Sequence, residues 1–321
     1  MTIEMKNTTA AKVAKALLDW HRERGSSGSG MVHTFVVATD RDDFDEAYQA
    51  ALAANREHPS RILIVVRDPG AEDGLDAEIH TDSDARGDMM VLTMRGRTVE
   101  HPGSVLRPLL VPDLPVVVWW PNEAPEDLLT DRIGKLADRR ITDALGAEDP
   151  TQAIIDRAYY HSPGDSDLAW TRTTRWRALL AAALDQVKAP VTAATVEAAT
   201  DNAPASLLAA WLELKLGVEV TVSRTDGPGI TAVRMTTPSG PIEIVRIGPD
   251  ETVYRVPDQP ERSVALRRRP VAELVTEELR RMDDDVVLAD VLAEMVRQNG
   301  QCALDLSGHP GNLQHPVQPS A

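Results

Sequence analysis

The chain has a single cysteine, Cys302, in 321 residues. One thiol cannot close an internal disulfide or supply a cysteine-ligated zinc site, so a secreted disulfide scaffold and a zinc ribbon are both excluded. Basic residues are scarce as well: 34 Lys and Arg stand against 50 Asp and Glu, a formal net charge of −16. That balance repels phosphate backbones and anionic headgroups, which argues against nucleic acid and membrane surfaces as partners. A basic patch of another protein stays open. Long apolar runs are missing, since stretches such as Val116-Val117-Val118-Trp119-Trp120 fall far short of the roughly 20 residues of a spanning helix. The first residues lack a cationic start followed by an apolar segment, so no signal peptide is read there and a cytoplasmic location is expected.

Catalytic spacings are absent too. There is no GxxxxGK[ST] loop, no GxGxxG between a strand and a helix, and no GxSxG elbow. Gly25-Ser26-Ser27-Gly28-Ser29-Gly30 follows a helical stretch and precedes a strand, the wrong order for a dinucleotide turn, and reads as a flexible connector. The eight histidines include no HxxxH pair, and His309 and His315 fall in the tail. No catalytic residue, metal ligand or cofactor site is therefore assigned.

What is present is enough apolar material, 42% of residues, for a packed core. At about 100–200 residues per domain, two domains are expected. Val13, Leu17 and Trp20 form one helical stripe, and Phe44, Ala47, Tyr48, Ala51 and Leu52 another. Between and after them lie strand-like runs: 31–38, 61–66, 89–94, 114–119 and 138–142. Strands alternating with helices predict a mainly parallel sheet flanked by helices. His161-Ser162-Pro163-Gly164-Asp165 is the expected break, giving an N-terminal α/β domain over 1–162. The segment 163–298 reads as an α+β domain. A helix starts near Thr174, and a second over 207–216 is closed by Gly217 in a left-handed cap. An antiparallel meander follows from Val218, and helices return at about 271–282 and 285–298. Residues 299–321 are expected to be disordered. The fold class is thus mixed α/β.

Three segments concentrate unusual residues. Leu114 to Pro125 delivers Trp119, Trp120 and Pro121 at the carboxyl end of a strand, where ligands and partners bind in open α/β sheets. Neighbouring strand residues face opposite sides, so the pair is either all core or one core residue and one exposed anchor, with Trp120 favoured as the exposed one. Asp138 to Asp143 places Arg139 and Arg140 between aspartates, as an ion-pair cluster or an anion clamp. Pro163 to Arg177 packs Asp165, Asp167, Trp170, Arg172 and Trp176 into one stretch, the composition of a rigid junction or a recognition surface.

The stretches Val116-Val117-Val118-Trp119-Trp120-Pro121, Arg139-Arg140-Ile141-Thr142-Asp143 and Gly164 to Arg172 followed by Trp176-Arg177 occur in that order, with Gly227-Pro228-Gly229-Ile230-Thr231 further on. Together they resemble the motifs of the OpcA glucose-6-phosphate dehydrogenase assembly family of actinobacterial type, over roughly residues 8–298. The resemblance implies a non-catalytic activator that promotes the active oligomer of glucose-6-phosphate dehydrogenase or raises its substrate affinity, and so supports NADPH supply through the oxidative pentose phosphate pathway. It makes Trp119, Trp120, Pro121, Arg139, Arg140, Asp143, Asp165, Asp167, Trp170 and Arg172 the partner-binding candidates. Cyanobacterial members are described as thioredoxin-responsive through cysteines, and the lone Cys302 departs from that pattern. The competing reading is a sugar-phosphate-binding protein or enzyme whose cleft is lined by the tryptophan pair and the arginines.

Overall fold

The computed structural model describes residues 2–24, 30–80 and 87–307, with 299–307 as backbone alone. Residues 25–29 of the glycine connector and the segment beyond 307 lie outside the described residues. The tail expected to be disordered from 299 is instead helical as far as Ser307, because the last helix runs on without a break. The chain is mixed α/β, built on two sheets. The first holds β1 (Thr2–Met5), β2 (His33–Asp40), β3 (Ser60–Asp68), β4 (Gly74–His80), β5 (Met89–Arg95), β6 (Val116–Trp119), β7 (Arg139–Thr142) and β8 (Asp165–Asp167), in the order β1-β4-β5-β3-β2-β6-β7-β8. Strands β2, β3, β5, β6, β7 and β8 are parallel, and β4 and β1 add an antiparallel edge.

Both faces of this sheet are covered, which is why its strands read as nearly continuous apolar runs. Side chains alternate between the faces. Val36, Leu63, Val65, Leu92, Val118 and Trp120 point to one side, where Val13 and Leu17 of α1 (Ala10–Arg24) and Leu106 of α3 (Pro102–Leu106) meet them. Phe35, Val37, Ile62, Ile64, Val117 and Trp119 point to the other, under the alanine stripe of α2 (Phe44–Glu57). Leu274, Val275 and Leu279 close that second face. They belong to α7 (Val271–Glu278) and its end, far along the chain.

The second sheet has the order β10-β9-β11-β12-β13-β14, from β9 (Ala193–Ala198), β10 (Val220–Arg224), β11 (Ile230–Thr237), β12 (Gly240–Arg246), β13 (Glu251–Arg255) and β14 (Arg262–Ala265). Strands β11 to β14 form the antiparallel meander. The strand expected to open that meander, β10, instead lies at the edge and pairs parallel with β9. The connection explains it: α6 (Ala203–Leu216) carries the chain from β9 back to the start of β10, as parallel pairing requires. Gly217 caps α6 in the left-handed region at φ 66°, its amide donating to the Glu213 carbonyl.

Helix α5 (Leu168–Leu184) joins the two halves. It begins at Leu168, earlier than the periodicity predicts, because the Asp167 side chain caps it. Leu168 packs into the first sheet's core, Trp176, Leu180 and Ala183 into the second's. Trp170 enters a helical cluster with α4 (Pro150–Tyr159), α6 and α8 (Val286–Ser307). The last strand of the first sheet, β8, thus lies just past the break expected at 161–165.

His33 opens β2 and is buried. The Ser60 hydroxyl donates to the His58 carbonyl, so it accepts from His33 Nε2 at 2.9 Å. Burial, and then the charge of His58, push the imidazole down from 6.5 to about 4. Below the unfolded-state value the unfolded chain takes up a proton that the folded chain refuses. The stability present above that value is therefore lost as pH falls through about 4. We expect urea midpoints to report a loss of up to about 3 kcal/mol across that window in the wild type, and a much smaller one in His33→Gln. Parallel pH profiles for the two proteins would overturn this.

Candidate functional site

The carboxyl ends of β6, β7 and β8 open on the same side of the first sheet. A cavity of about 600 Å³ lies there, walled by the loop after β6, by the ends of β7 and β8, and by the start of α4. Seven carboxylates line it, from Glu123, Asp143, Glu148, Asp149, Asp156, Asp167 and Asp201, against Arg157 as the one arginine of the lining. Arg157 is itself tied down, donating to the carbonyls of Pro125 and Glu126 and so holding the loop that follows Trp120. The cavity therefore favours a cationic group such as an ammonium or a guanidinium. Among the described residues no group of His, Cys, Asp and Glu is placed to hold a metal ion.

Asp167 sits at the floor of the cavity. It accepts from the Thr142 hydroxyl at 2.6 Å, from the Ala144 amide at 3.0 Å and from the Ala169 amide at 2.7 Å. Burial, then the neighbouring Asp143 carboxylate, push its carboxyl above the ordinary range against these donors. Asp143 in turn receives Arg172 in a bidentate pair, at 2.6 and 2.8 Å. That pair is a partition. Asp143 lines the acidic cavity, and Arg172 lines a second cavity on the other side.

The remaining candidates serve the framework. Arg140 donates to Asp165 and to the carbonyls of Pro163 and Ala137, while Asp165 also accepts the Ser162 amide at 2.9 Å. Gly164 lies between them at φ 87°, and a Cβ there would meet the Asp138 carbonyl at 2.5 Å, so the left-handed turn needs glycine. Arg139 reaches Glu278 of α7 at 2.5 Å and the Asp283 carbonyl at 3.1 Å. Trp170 donates from Nε1 to Asp285 at 2.8 Å, and the Arg177 guanidinium lies 3.6 Å from its ring centroid.

Placed in the fold, Arg139, Arg140, Asp143, Asp165, Asp167, Trp170 and Arg172 gather around β7, β8 and the start of α5, while Trp119, Trp120 and Pro121 stand one strand away. Pro121 and Arg172 are half-buried and the others are buried. The expectation of an exposed Trp120 is overturned: Trp119 and Trp120 are 0% and 1% exposed. They do face opposite sides, as strand geometry demands, but each side has its own covering layer. The cleft shared by the tryptophan pair and Arg139 and Arg140 is likewise absent from the two large cavities, whose linings include none of the four. Of the arginine alternatives, the ion-pair cluster is what the geometry holds. The residues missed from sequence are those of the second cavity, above all Arg267-Arg268-Arg269, a run whose local signal was its charge in an otherwise acidic chain.

Comparison with known proteins places the chain. A family model described as the glucose-6-phosphate dehydrogenase subunit N-terminal domain matches residues 51–159, and one described as the C-terminal domain of that subunit matches 163–292. A cyanobacterial protein provisionally named OxPP cycle protein OpcA, from Synechococcus elongatus, is 35% identical over 105 residues, which is 29% of this chain and 22% of that protein. Its namesake in Synechocystis sp. is 31% identical over 99 residues, 29% of this chain and 21% of that one. The match therefore spans about a fifth of each relative. A 3-ketoreductase from Actinomadura kijaniata superposes with a TM-score of 0.46 at 10% identity, over 82% of this chain and 94% of that one. That likeness is too loose to carry an argument. With both of its halves matched by domains of one subunit, the chain belongs to the OpcA family of glucose-6-phosphate dehydrogenase subunits.

Proposed function

We propose that this chain is a non-catalytic cytoplasmic subunit that promotes the active assembly of glucose-6-phosphate dehydrogenase and thereby supports NADPH supply in the oxidative pentose phosphate pathway. The observation that carries the reading is the pair of domain matches, both to a subunit of that enzyme. The acidic cavity supports it, because a wall of carboxylates at the open end of a sheet is a seat for basic side chains of a partner. No helix among the described residues is long and apolar enough to cross a membrane.

An effector shifts an enzyme only by its difference in affinity for two states. A differential contact worth about 1–3 kcal/mol changes substrate affinity roughly 5–150-fold. Purified protein mixed with its cognate dehydrogenase is expected to give a complex of higher mass and a lower KM or higher kcat. Unchanged mass and kinetics at micromolar concentration would refute the assignment. Glu123 and Glu148 are exposed on the rim of the cavity. Reversing both, as Glu123→Lys with Glu148→Lys, is expected to weaken the complex at least about tenfold in low salt, with the difference shrinking as salt rises. An unaltered dissociation constant would place the contact elsewhere.

A further inference from the structure

We propose that the second cavity is a binding site for a small phosphorylated metabolite, a phosphate ester or diphosphate carried on an uncharged body. It lies across the Asp143–Arg172 pair from the acidic cavity and holds about 410 Å³, within the range of roughly 300–1,000 Å³ typical of small-molecule sites. Six arginines line it, contributed by α5, by the end of β12 and by the run before α7. Three are neutralised: Arg172 by Asp143, Arg267 by Glu273 and Arg269 by Glu277.

The other three are not. Arg175, Arg246 and Arg268 have no carboxylate partner among the described residues. The Arg175 side chain makes no hydrogen bond among them. Arg268 donates only to the Pro228 carbonyl. Arg246 donates from Nη1 to the carbonyls of Leu266 and Pro249, and its buried Nε has no partner. Burial, then the facing charge of Arg268, bring Arg246 down to about 10, so it stays a cation at neutral pH. Asp201 is the single acid on the wall.

In a chain with a formal net charge of −16, three guanidinium groups without a salt-bridge partner line one concavity, and an anion placed among them relieves their mutual repulsion. Phosphate oxygens match the planar guanidinium fork in pairs, which a lone chloride cannot do. The amino end of α6 faces the same space and adds its dipole. Leu145, Pro204, Ile230 and Leu266 supply apolar walls, which suit an uncharged body attached to the phosphate. Gly229, at φ 64°, forms the turn that brings the Pro228 carbonyl to Arg268. This site is distinct from the Trp119/Arg139 cleft considered from sequence, and it does not depend on the assembly role.

The test uses the isolated full-length chain in low-salt buffer free of phosphate and sulfate. Titration calorimetry with inorganic phosphate, pyrophosphate and ADP is expected to give binding of the latter two at least about tenfold tighter than inorganic phosphate. Arg175→Gln combined with Arg268→Gln is expected to weaken them by at least about tenfold, with the melting midpoint unchanged or raised, since neither residue has an internal ion pair to lose. Absence of heat for every probe up to millimolar concentration would overturn the proposal. So would equal binding by the double variant, or inorganic phosphate binding as tightly as the other two. If neither form binds the small anions but the double variant captures the dehydrogenase less well, the cavity receives a partner's carboxylate and the metabolite site is refuted.

Discussion

Truncating Trp119 to alanine is expected to destabilise the fold by about 3–5 kcal/mol, and truncating Trp120 by a similar amount. Trp119 stacks on Phe35, with ring centroids 6.3 Å apart and planes inclined by 10°. It is enclosed between the sheet, α2 and α7. Trp120 belongs to the buried cluster of the opposite layer, with Leu128, Ile133 and Val13 and Leu17 of α1. Each ring is inside a complete shell, so removal leaves a cavity rather than a vacated surface. The Trp119 Nε1 has no hydrogen-bond partner, so Trp119→Phe removes a desolvated donor along with part of the ring and is expected to cost much less than alanine. Denaturant melts of the three variants check this. A wild-type midpoint for either alanine variant would mean that its ring is not core.

The second large effect concerns the pair that ties β7 to α7. Arg139→Met is expected to cost about 3–5 kcal/mol, because it strands a buried Glu278 carboxylate. Arg139 and Glu278 are 3% and 7% exposed, and Glu278 keeps only the Thr171 hydroxyl once the guanidinium is gone. The double variant Arg139→Met with Glu278→Leu is expected to recover most of the loss, since desolvating an ion pair costs roughly what its attraction returns. Urea unfolding of the two single variants and the double variant measures the coupling. Additive losses would show that the two side chains do not act as a pair.

The sequence-legible part of this protein is what depends on local period. Apolar runs around Phe35, Ile64, Val91 and Val117 have the length and composition of strands buried on two faces, and they form the parallel sheet. The stripes of α1 and α2 and the Gly217 cap are equally local. Short polar strands are not. Strand β8 is Asp165-Ser166-Asp167, a composition that argues against burial until each carboxylate has found its donors.

From sequence alone followed the mixed α/β class, the opposite orientation of Trp119 and Trp120, the impossibility of an internal disulfide, and the motifs that point to the OpcA family. Tertiary structure decided what those motif residues do. Arg140 finds Asp165 across 25 positions, and Arg139 finds Glu278 across 139. Neither spacing has a period that a sequence displays. Burial of both tryptophans likewise depends on which layers cover the sheet: Trp120 lies in the layer that holds α1, and Trp119 in the layer closed by α7, which returns from the far end of the chain. The arginine cavity is the same case. Arg175, Arg246 and Arg268 come from separate elements, and whether a charge is paired or left open to a ligand is a matter of distances that only the folded chain sets.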